Sequence, residues 1–152
     1  MAIMNALNVS ASGMTAQRLC LDIISQNIAI ASTSRDENGE AYRRKTVMFA
    51  EKTSDSASTF SRMLMNKTSG LSETVGNGVR VTAIVEDHVT AMKQVYDPSH
   101  PDANEEGYVT MPNVNTVTEM TNLIDATRSY EANVTAFNAT KNMLLKGLEV
   151  GQ

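Results

Sequence analysis

The sequence predicts a mainly α fold with a small β part: long N- and C-terminal helices paired as a coiled coil, with a middle β hairpin or extended lobe between them. Three observations predict it. The last part of the chain carries an apolar seam with alternating steps of three and four; the first thirty or so residues carry a broad apolar helical face; and the stretch between is rich in Ser, Thr, Gly and β-branched residues. A chain of 152 residues holds one ordinary domain and is too short for two independent ones of typical size. With 41% hydrophobic residues but only 5% aromatics, no Trp and ten Met, burial rests on Leu, Ile, Val, Ala and Met, which suits long helices better than a compact enzyme core.

The first segment, residues 1–34, reads as an axial helix from about Ile3 to Ala31, with Leu7, Met14, Leu21, Ile24 and Ile28 along one stripe. Val9, Cys20, Ile23 and Ile30 widen that stripe until apolar side chains cover roughly 240° of the circumference. Arg18 and Asp22 occupy most of the remainder. One neighbour covers a stripe of little more than about 100°, so this helix should be buried on more than one side. Its apolar residues follow no basic n-region and are interrupted by Ser, Asn, Gln, Arg and Asp, so it is neither a cleavable signal peptide nor a membrane span.

The middle region, residues 35–112, changes character. Asn38-Gly39 is a tight-turn dipeptide followed by the strand-like "TVMFAE", which together suggest a hairpin or an extended excursion. Residues 53–77 form a flexible Ser/Thr-rich loop in which "FSRMLM" (Phe60 to Met65) has the composition to pack locally. "GVRVTAIVED" (Gly78 to Asp87) is the best strand in the chain. The prolines and Asp turns of "VYDPSHPDANEEGYV" (Val95 to Val109) then end the β lobe and aim the chain toward Pro112.

The last segment, residues 113–152, is the second axial helix. Met120, Leu123, Thr127, Tyr130, Val134, Phe137, Lys141, Leu144 and Leu148 make a heptad seam of about four repeats. At 1.5 Å per residue the helix is on the order of 50 Å long, and the N-terminal helix is the partner of matching length.

Charge and motifs exclude more than they assign. A net charge of −4 gives no basic footprint for nucleic acid, and "YRRK" (Tyr42 to Lys45) is too short to supply one. Cys20, the sole cysteine, sits on the apolar part of a helix as a packed, inert thiol. Asp97, His100 and Asp102 are spaced to ligate a divalent metal if their loop curls, but Asp97-Pro98 and His100-Pro101 read more simply as turn punctuation. "DENGE" (Asp36 to Glu40) lacks the ligand pattern of a calcium loop, and "GNG" (Gly76 to Gly78) precedes a strand instead of joining strand to helix. Glu119, Asp125 and Glu131 read as a solvated helix face. No active site, cofactor, metal or small-molecule substrate is expected.

The two ends converge on a family. "SASGMTAQRLCLDIISQNIA", with Asn27-Ile28-Ala29, resembles the N-terminal signature of the flagellar axial proteins. "GYVTMPNVNTVTEMTNLIDATRSYEANVTAFNATKNMLLKGLEV", with Arg128, Tyr130, Ala132 and Asn133 in an Arg-x-Tyr-x-Ala-Asn core, is similar to their C-terminal helix. "AYRRKTVMF", "GVRVTAIVED" and "VYDPSHPDANEEGYVTMPNVN" look like the basal-body rod proteins of the proximal rod in particular. Two departures stand out: Ile30 replaces the Asn that commonly closes Asn-Ile-Ala-Asn, and "STSRDENGEAYRR" replaces the Thr-x-Gly-Tyr of the wider family.

The resemblance implies a non-enzymatic rod subunit that transmits torque for motility, lying in the periplasmic part of the basal body and exported by the flagellar type III apparatus without signal cleavage. It implies as partners copies of the chain itself in a helical rod, other rod proteins, and the rod-base adaptor and MS ring. The residues expected to carry assembly or the coiled-coil interface are Leu7, Met14, Leu21, Ile24, Asn27, Ile28, Val117, Met120, Leu123, Tyr130, Val134, Phe137, Leu144 and Leu148. Within these, Leu21, Ile24, Ile28, Leu123, Tyr130, Val134, Phe137 and Leu144 are expected to form the intrachain seam, with Val9, Ile23, Ile30 and Val117 facing neighbours.

Overall fold

The computed structural model describes residues 2–35, 39–52 and 77–150. The Ser/Thr-rich loop, apart from Asn77, and Asp36, Glu37 and Asn38 of the "DENGE" turn lie outside these residues. Helix α1 (Ala2–Ile30) and helix α2 (Thr116–Val150) are the long terminal helices the periodicity predicts, and they pack against each other. Between them in sequence come β1 (Lys45–Glu51), β2 (Val79–Glu86), β3 (Lys93–Tyr96) and β4 (Tyr108–Met111), in two separate antiparallel pairs, β1 with β2 and β3 with β4. The fold is mainly helical with a small β part.

The helices run antiparallel in a register that two contacts define. Asn27 of α1 meets Glu119 of α2, and fourteen residues back from Asn27 and fourteen forward from Glu119, Gly13 abuts Asn133. Fourteen residues are two heptads, the repeat that keeps one face of each helix on its partner. The approach at Gly13 is close: a Cβ there would lie 2.9 Å from Asn133 Oδ1. Helix α2 starts after Asn115, whose Oδ1 accepts the Val117 and Thr118 amides at 3.0 and 3.3 Å, an N-cap that satisfies two otherwise orphaned donors.

The first strand pair packs against α1. β1 and β2 match Lys45 with Glu86 through Met48 with Ala83, then shift at a bulge so that Phe49 faces Val81. The Thr82 hydroxyl turns to donate to Met48 O at 3.1 Å. Ser12 fastens this ribbon to α1: its Oγ donates to Val9 O at 2.7 Å and accepts the Val79 amide at 3.0 Å. Gly78, at φ +95°, is where the chain passes Ser12, and any side chain there would collide with its hydroxyl.

Of the hairpin and the extended excursion that the stretch before β1 left open, the second holds for the described residues, since β1 takes β2 as its partner across the long intervening segment. Two expectations need correction. "VYDPSHPDANEEGYV" does not simply end the β lobe: its flanks are β3 and β4, registered Val95 with Val109 and Tyr96 with Tyr108, and the two tyrosine rings meet edge to face at 5.3 Å. The helical seam is displaced only in part, since Leu123, Tyr130, Val134, Phe137 and Leu144 are half-buried. The deeply buried residues of α2 are Glu119 and Ala126, each one before the predicted Met120 and Thr127, while Met120 and Leu148 are exposed. On α1, Ile23, expected to face neighbours, is buried beside Ile24 near Val47 of β1. The periodicity correctly marks apolar faces, but it does not say which of them is covered within the chain.

Candidate assembly interface

At the junction of both helices with the β part lies a buried polar latch. Asn27, with no exposed surface, uses its side-chain amide fully: Nδ2 donates to Lys45 O at 2.9 Å and Glu119 Oε2 at 3.0 Å, and Oδ1 accepts the Lys45 amide at 3.0 Å and the Tyr42 hydroxyl at 3.0 Å. Two donors and two acceptors are all an amide side chain has. Glu119, 1% exposed, takes the opposite side. Its Oε1 accepts Arg44 Nε at 2.9 Å and Asn122 Nδ2 at 3.1 Å, and lies 2.8 Å from a second guanidinium nitrogen of Arg44. Burying a carboxylate is costly unless it is both paired and hydrogen-bonded, and here it is both.

The segment leading into β1 supplies half of this latch, and a second amide holds that segment in place. Asn113 Oδ1 accepts the Arg44 amide at 2.8 Å, while its Nδ2 donates to Asp87 O at 3.0 Å and Thr90 O at 3.2 Å. "YRRK", which as a charge run had no assigned role, therefore provides the Tyr42, Arg44 and Lys45 contacts of the latch. Glu119, read as part of a solvated face, is instead among the most buried side chains described. No periodicity pointed to either, since the partners are separated by 92 residues in one case and 75 in another. The family-like Asn27-Ile28-Ala29 was the one available signal.

The predicted interface residues divide by exposure. Ile24 and Asn27 are buried; Leu7, Met14, Leu21, Ile28, Leu123, Tyr130, Val134, Phe137 and Leu144 are half-buried. Val117, Met120 and Leu148 are exposed, at 72%, 53% and 63%. With Ile124, 54% exposed, Val117 and Met120 make a row at steps of three and four on the outer side of α2. The latch thus closes one side of α2 while an apolar row stays open on another.

Asp97 accepts from the Ser99 amide and hydroxyl, which hold its carboxyl below the ordinary range; the hydroxyl is the stronger influence. Asp87 is lowered in the same way, first by the Thr90 hydroxyl and then by the Thr90 amide. Asp102 instead binds Ser34 Oγ at 2.6 Å and Arg35 Nε at 3.1 Å, tying the hairpin loop to the exit of α1. His100 Nδ1 accepts the Asp102 amide at 3.1 Å, so that nitrogen's lone pair is engaged. His100 Nδ1 and Asp102 Oδ2 lie 3.8 Å apart, but among the described residues no group of three His, Cys, Asp or Glu is placed to hold a metal ion. Burial, and then the charge of Glu119, raises the Cys20 thiol above its ordinary value, which makes it a poor nucleophile. Among the described residues no helix is long and apolar enough to cross a membrane.

The family described as flagellar basal body rod FlgEFG protein C-terminal matches residues 105–150, a span that covers β4 and α2. Over its whole length the chain is 50% identical to the flagellar basal-body rod protein FlgC of Bacillus subtilis (strain 168), and the alignment covers all of that relative. It is 40% identical to the protein of the same description from Borreliella burgdorferi, with 100% of this chain and 99% of the relative covered. It is 36% identical to that of Escherichia coli O157:H7, again with both chains fully covered.

Proposed function

The chain belongs to the FlgC family of flagellar basal-body rod proteins and is a structural subunit of the rod, not an enzyme; from that premise we propose how its geometry serves assembly. The two axial segments, residues 1–34 and 113–152, form the unit that stacks, and the middle region, residues 35–112, is braced against it by the latch. Copies of the chain meet through heterologous contacts that do not close on themselves, the symmetry that builds tubes and filaments. In the proximal rod the subunits also meet other rod proteins and, at the base, the adaptor and MS ring, and together they transmit torque. The chain reaches the periplasmic space through the flagellar type III apparatus without signal cleavage.

The observation that carries this reading is the exposed row Val117, Met120 and Ile124 on a helix whose opposite side is already closed. Covering such side chains contributes about 1.5–3 kcal/mol each, so a few of them per contact are enough to drive stacking of long helices. The half-buried Leu21, Ile28, Leu123, Tyr130, Val134, Phe137 and Leu144 hold the pair together with the buried Ile24 and Asn27 in this reading, and Leu7, Met14 and the exposed Leu148 extend the contact surface.

The test is a chain carrying Met120→Glu and Ile124→Glu. Its helical circular dichroism should match the parent, because neither position is buried, while cells relying on it should lose rods in electron micrographs and stop swimming. Normal motility in cells from which the protein has been deleted would overturn the rod assignment itself. Normal motility with the double glutamate variant would overturn only the choice of face.

A further inference from the structure

We propose that Asn27 and Glu119 determine the register of the helix pair, selecting one antiparallel alignment from those spaced seven residues apart. The heptad pattern by itself leaves that choice open. A slip of seven residues moves one helix about 10 Å along the other and brings equivalent faces back together. Between Gly13 and Asn27 one cleft is lined by Cys20, Ile24, Ala126 and Ser129 together with Gln17, Asn122 and Asp125, and among the described residues the Asn27–Glu119 bond is the one side-chain hydrogen bond between the helices. The other contacts tolerate more than one alignment.

The latch does not. Sliding α2 so that Asn27 faces Ala126 carries Glu119 past the end of α1 and parts it from Asn27, leaving it Asn122 of its own helix. Sliding it the other way sets Glu119 beside Cys20 and parts it from Asn27. Either slip separates a fully used amide from a buried carboxylate. A single buried polar position is a known means of fixing register in paired helices, at some cost in stability. Because Tyr42, Arg44 and Lys45 close on the same two side chains, one alignment of the helices also fixes where the β part sits. The position of the exposed row Val117, Met120 and Ile124 along α1 is then a consequence of the latch. The register is a property of the isolated chain, whatever assembly it enters.

The experiment uses the full-length chain with Cys20→Ala, Arg18→Cys and Asn142→Cys, spin-labelled at the two new cysteines, both exposed positions. In the observed register Arg18 lies opposite Arg128, so the labels are offset along the axis by fourteen residues, about 21 Å. Pulsed electron spin resonance should give one narrow distance. Adding Asn27→Leu with Glu119→Leu should keep the helical signal but broaden or split that distance. Moving the carboxylate by one heptad, with Glu119→Ala and Ala126→Glu, should shorten the axial offset by about 10 Å as Asn27 finds its new partner. If both variants keep the parent's single distance, the connector Pro112–Asn115 sets the register and the proposal is wrong. It is equally wrong if both lose their helical signal, since the latch would then supply stability alone.

Discussion

Glu119 and Asp97 are carboxylates of one chain, each held by several donors, yet they stand in opposite circumstances. Glu119 is walled in by α1, α2 and the segment before β1, and its donors come from three parts of the sequence. Asp97 sits at an exposed hairpin turn, and its donors come from Ser99, two residues away. The first carboxylate joins distant segments and carries the cost of leaving water; the second trims a local turn and carries almost none. Where the donors come from, more than how many there are, separates a residue that organises a fold from one that decorates it. The hairpin clasp at Asp102 lies between these extremes, reaching 68 residues to Ser34 but with its Arg35 partner largely in solvent.

Removing Glu119 should produce the largest effect. Glu119→Ala leaves the Arg44 guanidinium and one donor of Asn27 without their partner at a buried site, and breaking such a network from one side costs about 3–5 kcal/mol. Urea denaturation of the isolated chain should report a loss in that range, with the unfolding slope unchanged. A loss below about 1 kcal/mol would mean that water replaces the carboxylate and that the latch is weaker than its geometry suggests.

That latch is also where sequence reading fell short, and the reason is physical. Periodicity detects a face that repeats along one segment, so α1, α2 and the alternating β2 were legible. Residues 93–96 and 108–111 are too short and too close to prolines to show a strand period, and their pairing depends on Tyr96 meeting Tyr108 across a turn. Glu119 looked like any carboxylate in the first turn of a helix, and Arg44 like part of a surface run; only the antiparallel return of α2 brings them together. The seam took in exposed positions such as Met120 because a subunit that packs against neighbours has more apolar surface than its own fold can cover. Val117, Met120 and Ile124 therefore compete, in the sequence, with the small residues that do line the seam.

The clasp should give a smaller effect. Asp102→Ala removes acceptors from Ser34 and Arg35, but a pair this exposed contributes less than about 1 kcal/mol. The expected outcome is a nearly unchanged urea midpoint together with faster amide exchange in residues 31–35 and 98–106, which the clasp holds together. A midpoint shift as large as that of Glu119→Ala would place Asp102 in the same class as the latch and remove the distinction between the two sites.

The smallest effect is expected at Asp97, where it concerns pH. Its folded pKa lies below the ordinary 3.8, so the folded state binds this proton less readily than the unfolded chain does. A depressed carboxyl stabilises the fold at pH values above its unfolded pKa, and the contribution disappears as pH falls through the lower folded value. The turn should therefore be indifferent to pH near neutrality and loosen only below about pH 4. Carboxyl-carbon NMR titration should place the Asp97 midpoint below 3.8 in the parent. Ser99→Ala removes the hydroxyl, the larger of the two donor influences, and leaves the amide, so the midpoint should rise part of the way back. Coincident titration curves for parent and variant would show that the hydroxyl does not hold the carboxylate in solution, and the turn would then rest on the Ser99 amide and on Pro98, which fixes the backbone ahead of it.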